Sequence, residues 1–358
     1  MRTKDLIGVR GERNRPPALI LEAAVDAINQ SVGYSSKVHQ NLAEMKSDLS
    51  EACRTYYALA ACSRRKELEA GLRYKLLSEL YRIRSALEMC IAERLPLVID
   101  SDSVDKGTFT KSFFGVSQKQ GVSLRYPLLS CIPTATCGGR CYAHDGRDRE
   151  LHLIFRACLN YNIGKKWEAE EASRAEISSR LEPIIQYGVD MAVMDARNAE
   201  ATSNFARAPR IRFSHLGEMI STPNFVNWLA RRIKQKNQEV ECVVYTRHPN
   251  ANLYDPSLFV VNFTVDGSGD NRMKYAPSSA RIVSSAWDGV IAPEADINFL
   301  EHHVEKGAIA QGDGIVCPVT ENHALTPSCD SAKCDKCFQP TRLSPRAIPT
   351  NKSDANRP

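Results

Sequence analysis

From residue 122 to residue 309 the chain alternates between short apolar runs and longer polar, helix-like stretches, and few folds tolerate that rhythm. The apolar runs fall at 122–129, 210–214, 241–245, 258–265 and 281–286, with a shorter one at Val290 and Ile291. Helical patterns follow at 149–161, 167–187, 223–236, 251–257 and 294–305, while 188–194 reads as a short strand or a bend. Pro223 suits the first turn of its helix, where a missing N–H costs nothing. Strands alternating with helices imply parallel βαβ units. The run Leu258-Phe-Val-Val-Asn-Phe-Thr-Val265 is apolar almost throughout, as in a sheet covered on both faces. The expected fold class is therefore α/β, a partial (β/α) barrel over residues 122–312. Barrel chemistry gathers at the C-terminal ends of the strands. The exit loops carrying Cys141, Glu218, Arg247, Asp266 and Trp287 would then share one mouth.

The first of these loops is Cys131-Ile-Pro-Thr-Ala-Thr-Cys137-Gly-Gly-Arg-Cys141-Tyr-Ala-His144. The chain has 12 cysteines. Four more of them, Cys317, Cys329, Cys334 and Cys337, form a second cluster near the C-terminus. The remaining five, at 53, 62, 90, 158 and 242, are isolated and read as small core hydrophobes. Residues 1–17 carry five Arg or Lys and lack the apolar centre of a signal peptide. No run approaches the length of a membrane span. The expected location is cytoplasmic, where clustered thiols point to a metal or redox centre rather than to disulfides. Three closely spaced thiolates suit an iron–sulfur cluster. Three cysteines with His144 equally suit zinc. The C-terminal four suit either a second iron–sulfur cluster or a structural zinc, and either would organise residues 313–338, which are too polar to fold unaided.

With the cysteine loop following the first strand of a barrel-like pattern, Cys137-Gly-Gly-Arg-Cys141-Tyr142-Ala-His144 resembles the radical S-adenosylmethionine (SAM) superfamily. The usual pattern there is C-x3-C-x2-C with an aromatic residue just after the second cysteine. His144 stands in place of the third cysteine, and Cys131 upstream supplies a thiolate instead, giving C-x5-C-x3-C. That variant looks like a largely phage- and plasmid-borne branch of radical-SAM-like proteins with a cysteine-rich C-terminus. The resemblance covers 122–338. It implies a [4Fe–4S] cluster on Cys131, Cys137 and Cys141, with Tyr142, Gly217, Glu218 and Asp266 in the cofactor site. Leu216-Gly217-Glu218 stands where the family holds the SAM amino group. It further implies reductive cleavage of SAM to a 5′-deoxyadenosyl radical, an electron donor such as flavodoxin or ferredoxin, and an auxiliary cluster on the C-terminal cysteines. The substrate is unknown; His215 and Arg247 are candidates to contact it. Were His144 a fourth protein ligand, no iron would remain open for SAM.

Residues 17–95 lie outside the resemblance and read as a helical hairpin or bundle, with Leu76, Leu77, Leu80, Tyr81, Ile83 and Leu87 at helical spacing. Arg64, Arg65, Arg73, Arg82 and Arg84 form either a solvated surface or a basic face. The second supports a rival account: a metal-stabilised binding module, without catalysis, for nucleic acid or a protein partner. The formal charge of +5 permits an acidic partner without requiring one. Residues 96–121 read as a connector, and 1–16 and 339–358 as disordered. Asp266-Gly-Ser-Gly lacks the Lys of a P-loop, which argues against nucleotide hydrolysis.

Overall fold

The computed structural model describes residues 70–94, 113–117, 121–134, 137, 141–144, 151–267, 269–286, 292–300, 316–317, 329–330, 332–334 and 337–338. The expectations for residues 1–69, 96–112, 287–291, 301–315 and 339–358, Trp287 included, lie outside them. The chain enters through helix α1 (Ala70–Arg94) and strand β1 (Gly115–Ser117), which pairs antiparallel with β2 (Gly121–Arg125). Helices α2 (Leu151–Ala169) and α3 (Glu171–Ser203) lead to β3 (Arg210–Leu216). Helix α4 (Pro223–Lys236) leads to β4 (Glu241–Thr246). Then come β5 (Phe259–Val265), β6 (Arg281–Ala286) and β7 (Ile297–Leu300). The sheet runs β1 to β7 in chain order, and β2 to β7 are all parallel. It is an open α/β sheet, with β1 and β7 at opposite edges.

Strand order equal to chain order means that every crossover steps the same way. Right-handed crossovers then deliver their connections to one face. Alternate strand residues separate the two faces. Ile211, Phe213, Cys242, Val244, Val261 and Phe263 pack on Ile154, Phe155, Ile184, Phe225 and Leu229 of the helices. Leu87 and Ile91 of α1 belong to the same core. Between them on β4 and β5, Val243 and Val260 face the other way, toward Cys317, Cys337 and Phe338. All seven residues of β5 are buried, because both of its faces are covered. Cys158 and Cys242 are fully buried in the main core, as isolated cysteines should be.

Four expectations are corrected. The stretch 188–194 is neither strand nor bend, because α3 runs straight through it. Gly188 is there for packing: a Cβ would lie 2.6 Å from the Phe114 ring. Within the described part of the helix expected at 294–305, no helix opens at 294–300; Ile297–Leu300 is the sixth parallel strand. Asp296 steers it, with its N–H donated to Ile282 O at 2.9 Å and its carboxylate accepting Ile282 N–H at 2.7 Å. The expected helix at 251–257 is only a 3-10 turn, Ala251–Leu253. His215 does not lie in an exit loop, since β3 continues to Leu216. The described helical crossovers are those from β2 to β3 and from β3 to β4; the β4–β5 and β5–β6 connections carry 3-10 turns.

Candidate cofactor site at the strand exits

Beyond β2 the chain turns through a 3-10 turn, Leu128–Ser130, and releases the cysteine loop above the exit of β3. The two exits touch: Tyr126 N–H donates to Leu216 O at 2.8 Å. Gly217 makes this possible. Its φ is +71°, and a Cβ there would lie 2.4 Å from Tyr126 O. Its place in the site is thus explained by close backbone passage. Ser130 receives the Glu218 N–H at 2.8 Å and donates to Pro127 O at 2.6 Å, which ties the loop to the β3 exit a second time.

Cys131, Cys137 and Cys141 are free thiols, the first two half-buried and the third buried. They lie within electrostatic range of one another. Burial pushes the Cys131 thiol well up, and Glu218, Cys141 and Cys137 add to it. Cys141 is pushed up to about 12 by burial and by Cys137, against a backbone hydrogen bond at Ala143 and the charge of Arg84. Among the described residues no group of three or more His, Cys, Asp or Glu is set to hold a metal ion as the side chains stand. The donor chemistry of the loop nevertheless fits one. Three thiols share a neighbourhood in which Cys131 and Cys141 resist ionisation, and a bound cation is what lets such thiols become thiolates. His144 is buried beside them, its imidazole driven down to about 3 by burial and by Arg84, so it is neutral. Its ring meets Tyr81 edge-on, 6.5 Å between centroids. Tyr142 opens the 3-10 turn Tyr142–His144 that closes the loop.

Glu218 is buried and turned onto the end of β4. One carboxylate oxygen accepts Thr246 Oγ–H at 2.9 Å and the other accepts Arg247 N–H at 3.2 Å. Each oxygen keeps a second lone pair. Burial raises its pKa to about 7 in spite of those donors. The Arg247 guanidinium pairs with Asp266 and donates to Ser285 Oγ at 3.0 Å, joining the exits of β4, β5 and β6. Asp266 also binds Arg272, at 3.0 Å, and accepts Thr134 Oγ–H at 2.6 Å. Thr134 in turn accepts Cys137 N–H at 2.9 Å. Asp266 and Arg247, expected as cofactor and substrate contacts, therefore brace the cysteine loop. His215 is half-buried near the end of β3.

The C-terminal cysteines come together on the opposite side of the sheet from the helices. Cys329 lies within electrostatic range of Cys317 and Cys334, and Cys337 of Cys317 and Cys329. Cys334 N–H donates to Cys329 O at 2.9 Å, and Cys337 O accepts the Asn262 amide at 2.9 Å. Burial pushes Cys329 up to about 11 and Cys337 up to about 12. Arginines face this group. Arg210 stacks on Phe338 at 3.9 Å and binds Asp330 at 3.1 Å, Arg207 binds Asp330 at 2.7 Å, and Arg281 lies near Cys337. Arg212 stacks 4.7 Å above the Tyr245 ring, and Tyr245 is hydrogen-bonded to Cys337.

Both cysteine groups were visible as clusters in the sequence. Ser130, Thr134, Thr246 and Glu88 were not, because lone hydroxyls and a helical Arg–Glu pair carry no local signature, and in the sequence Arg84 reads only as part of a solvated or basic helix face. No known protein family, curated protein or solved structure matches the chain. Among the described residues no helix is long and apolar enough to cross a membrane.

Proposed function

We propose that the chain is a radical-SAM-type iron–sulfur protein with its first centre on Cys131, Cys137 and Cys141. The observation that supports this best is a juxtaposition. Of the three free thiols gathered after the first parallel strand, Cys131 lies within electrostatic range both of Cys137 and Cys141 and of Glu218, which follows the second strand. A reduced [4Fe–4S] cluster held by Cys131, Cys137 and Cys141 would supply the one electron needed for reductive cleavage of SAM to methionine and a 5′-deoxyadenosyl radical. The protein's part is placement. Glu218, buried and already taking one donor on each oxygen, offers its remaining lone pairs to the amino group of SAM. An arriving ammonium holds that carboxylate ionised against burial. The Arg247–Asp266–Thr134 chain fixes the backbone at Cys137. Cys317, Cys329, Cys334 and Cys337 hold a second centre, an auxiliary cluster or zinc, with Arg210 and Arg281 offsetting its negative charge. The rival account, a nucleic-acid-binding helical face, loses Arg84, which is buried and paired with Glu88. The test is turnover: dithionite-reduced, iron-loaded full chain is incubated with SAM and 5′-deoxyadenosine is separated by chromatography. Accumulation that vanishes in Cys141→Ala is expected; none from an iron-loaded wild type would reject the reading.

A further inference from the structure

The helix outside the family resemblance grips the cysteine loop from both sides. Tyr81, Arg84 and Glu88 lie along one stripe of α1, at spacings of three and four residues. Tyr81 Oη donates to Leu128 O at 3.0 Å. Glu88 Oε2 accepts Leu129 N–H at 3.0 Å. Arg84 Nε donates to Glu88 Oε1 at 2.9 Å, and Arg84 Nη1 donates to Ala143 O at 2.7 Å. Leu129 lies two residues before Cys131 and Ala143 two residues after Cys141, so one ion pair brackets all three thiols. Both charged side chains are 0% exposed.

Burying such a pair is poor economy for stability alone, since two apolar side chains of similar volume commonly serve as well or better. What an apolar pair lacks is the reach to a peptide N–H on one flank of the loop and a carbonyl on the other. The arginine fork meets both partners at once, which a lysine cannot. Arg84 also lies within electrostatic range of Cys141, where its charge favours the thiolate.

We propose that Arg84 and Glu88 are positioning residues for the first metal centre, holding the two flanks of the loop so that Cys131, Cys137 and Cys141 face one site. This rests on the reading that those thiols bind metal. The test uses the full chain reconstituted anaerobically with ferrous iron and sulfide, then alkylated with iodoacetamide and read thiol by thiol in a mass spectrometer. The expected wild type protects both cysteine groups. The double variant Arg84→Met/Glu88→Leu is expected to unfold no more easily than wild type, yet to alkylate at Cys131, Cys137 and Cys141 about tenfold faster or more, the usual scale for losing a supporting contact around a metal. Protection of the four C-terminal thiols stays unchanged and reports that the chain is folded. Glu88→Gln keeps a single acceptor oxygen, for Leu129 or for Arg84, and turns an N–H toward the other, so it is expected to restore only part of the protection. Should the double variant not fold, Arg84→Lys replaces it and is expected to expose Cys141 by about the same factor. Wild-type protection in the double variant, or in Arg84→Lys where that replaces it, overturns the proposal. A wild type alkylated at the first three thiols but protected at the last four has a different pattern, and rejects the metal reading together with this one.

Discussion

Glu218 is a carboxylic acid buried at the strand exits, and that burial governs its protonation. Its folded pKa of about 7 lies above the ordinary 4.5, with burial as the first cause. The fold therefore prefers the protonated acid. That contribution is complete below pH 4.5 and is lost as pH rises through about 7. A shift of this size is worth roughly 3 kcal/mol when fully expressed. Thermal unfolding of the full chain should accordingly fall more steeply between pH 5 and pH 8 than that of Glu218→Gln. The variant should gain at pH 8 and not at pH 5; parallel curves would contradict the assignment. The sequence could offer Glu218 as a candidate because Leu216-Gly217-Glu218 follows an apolar run at the position where the resemblance implies the group that holds the SAM amino group. It could not reveal that Thr246 and the Arg247 N–H hold its carboxylate, since those contacts join strands 28 and 29 residues apart.

At the scale of elements, the apolar runs located β2 to β6 well, because a strand buried on both faces has little room for polar residues. The last strand escaped notice because Ile297-Asn-Phe-Leu300 is preceded by Pro293-Glu-Ala-Asp296 and followed by Glu301-His-His, which reads as a helix start. Gly188 inside α3 misled in the opposite sense: a glycine chosen for close packing on Phe114 looks like a breaker. The cysteine loop is the element on which the account turns, and its ligand set separates by mutation. Cys131→Ala, Cys137→Ala and Cys141→Ala should each abolish iron at the first centre. His144→Ala should spare it, because the neutral imidazole lies against Tyr81 as a packing group. Iron lost in His144→Ala and kept in Cys131→Ala would reverse the choice of third ligand.

At the scale of the molecule, one sheet carries two cysteine groups, one at its strand exits and one on the face away from the helices. Asp330 ties the second group to the sheet through Arg207 and Arg210, whose side chains are almost fully buried. Asp330→Asn leaves those guanidiniums without their shared carboxylate, while Arg207 keeps its ion pair with Asp195. Partial exposure of Asp330 moderates the cost, which should be about 2 kcal/mol in denaturant unfolding. A change below about 0.5 kcal/mol would mean that the arginines do not anchor the module. The central claim is that iron and SAM meet at the first group. Its most direct test is anaerobic purification with iron, sulfide and zinc analysis, followed by EPR of the reduced chain with and without SAM. The account predicts about four irons per chain, or about eight if the second group also holds a cluster, and an EPR signal that SAM perturbs. Zinc at both groups, or an iron signal indifferent to SAM, would contradict it.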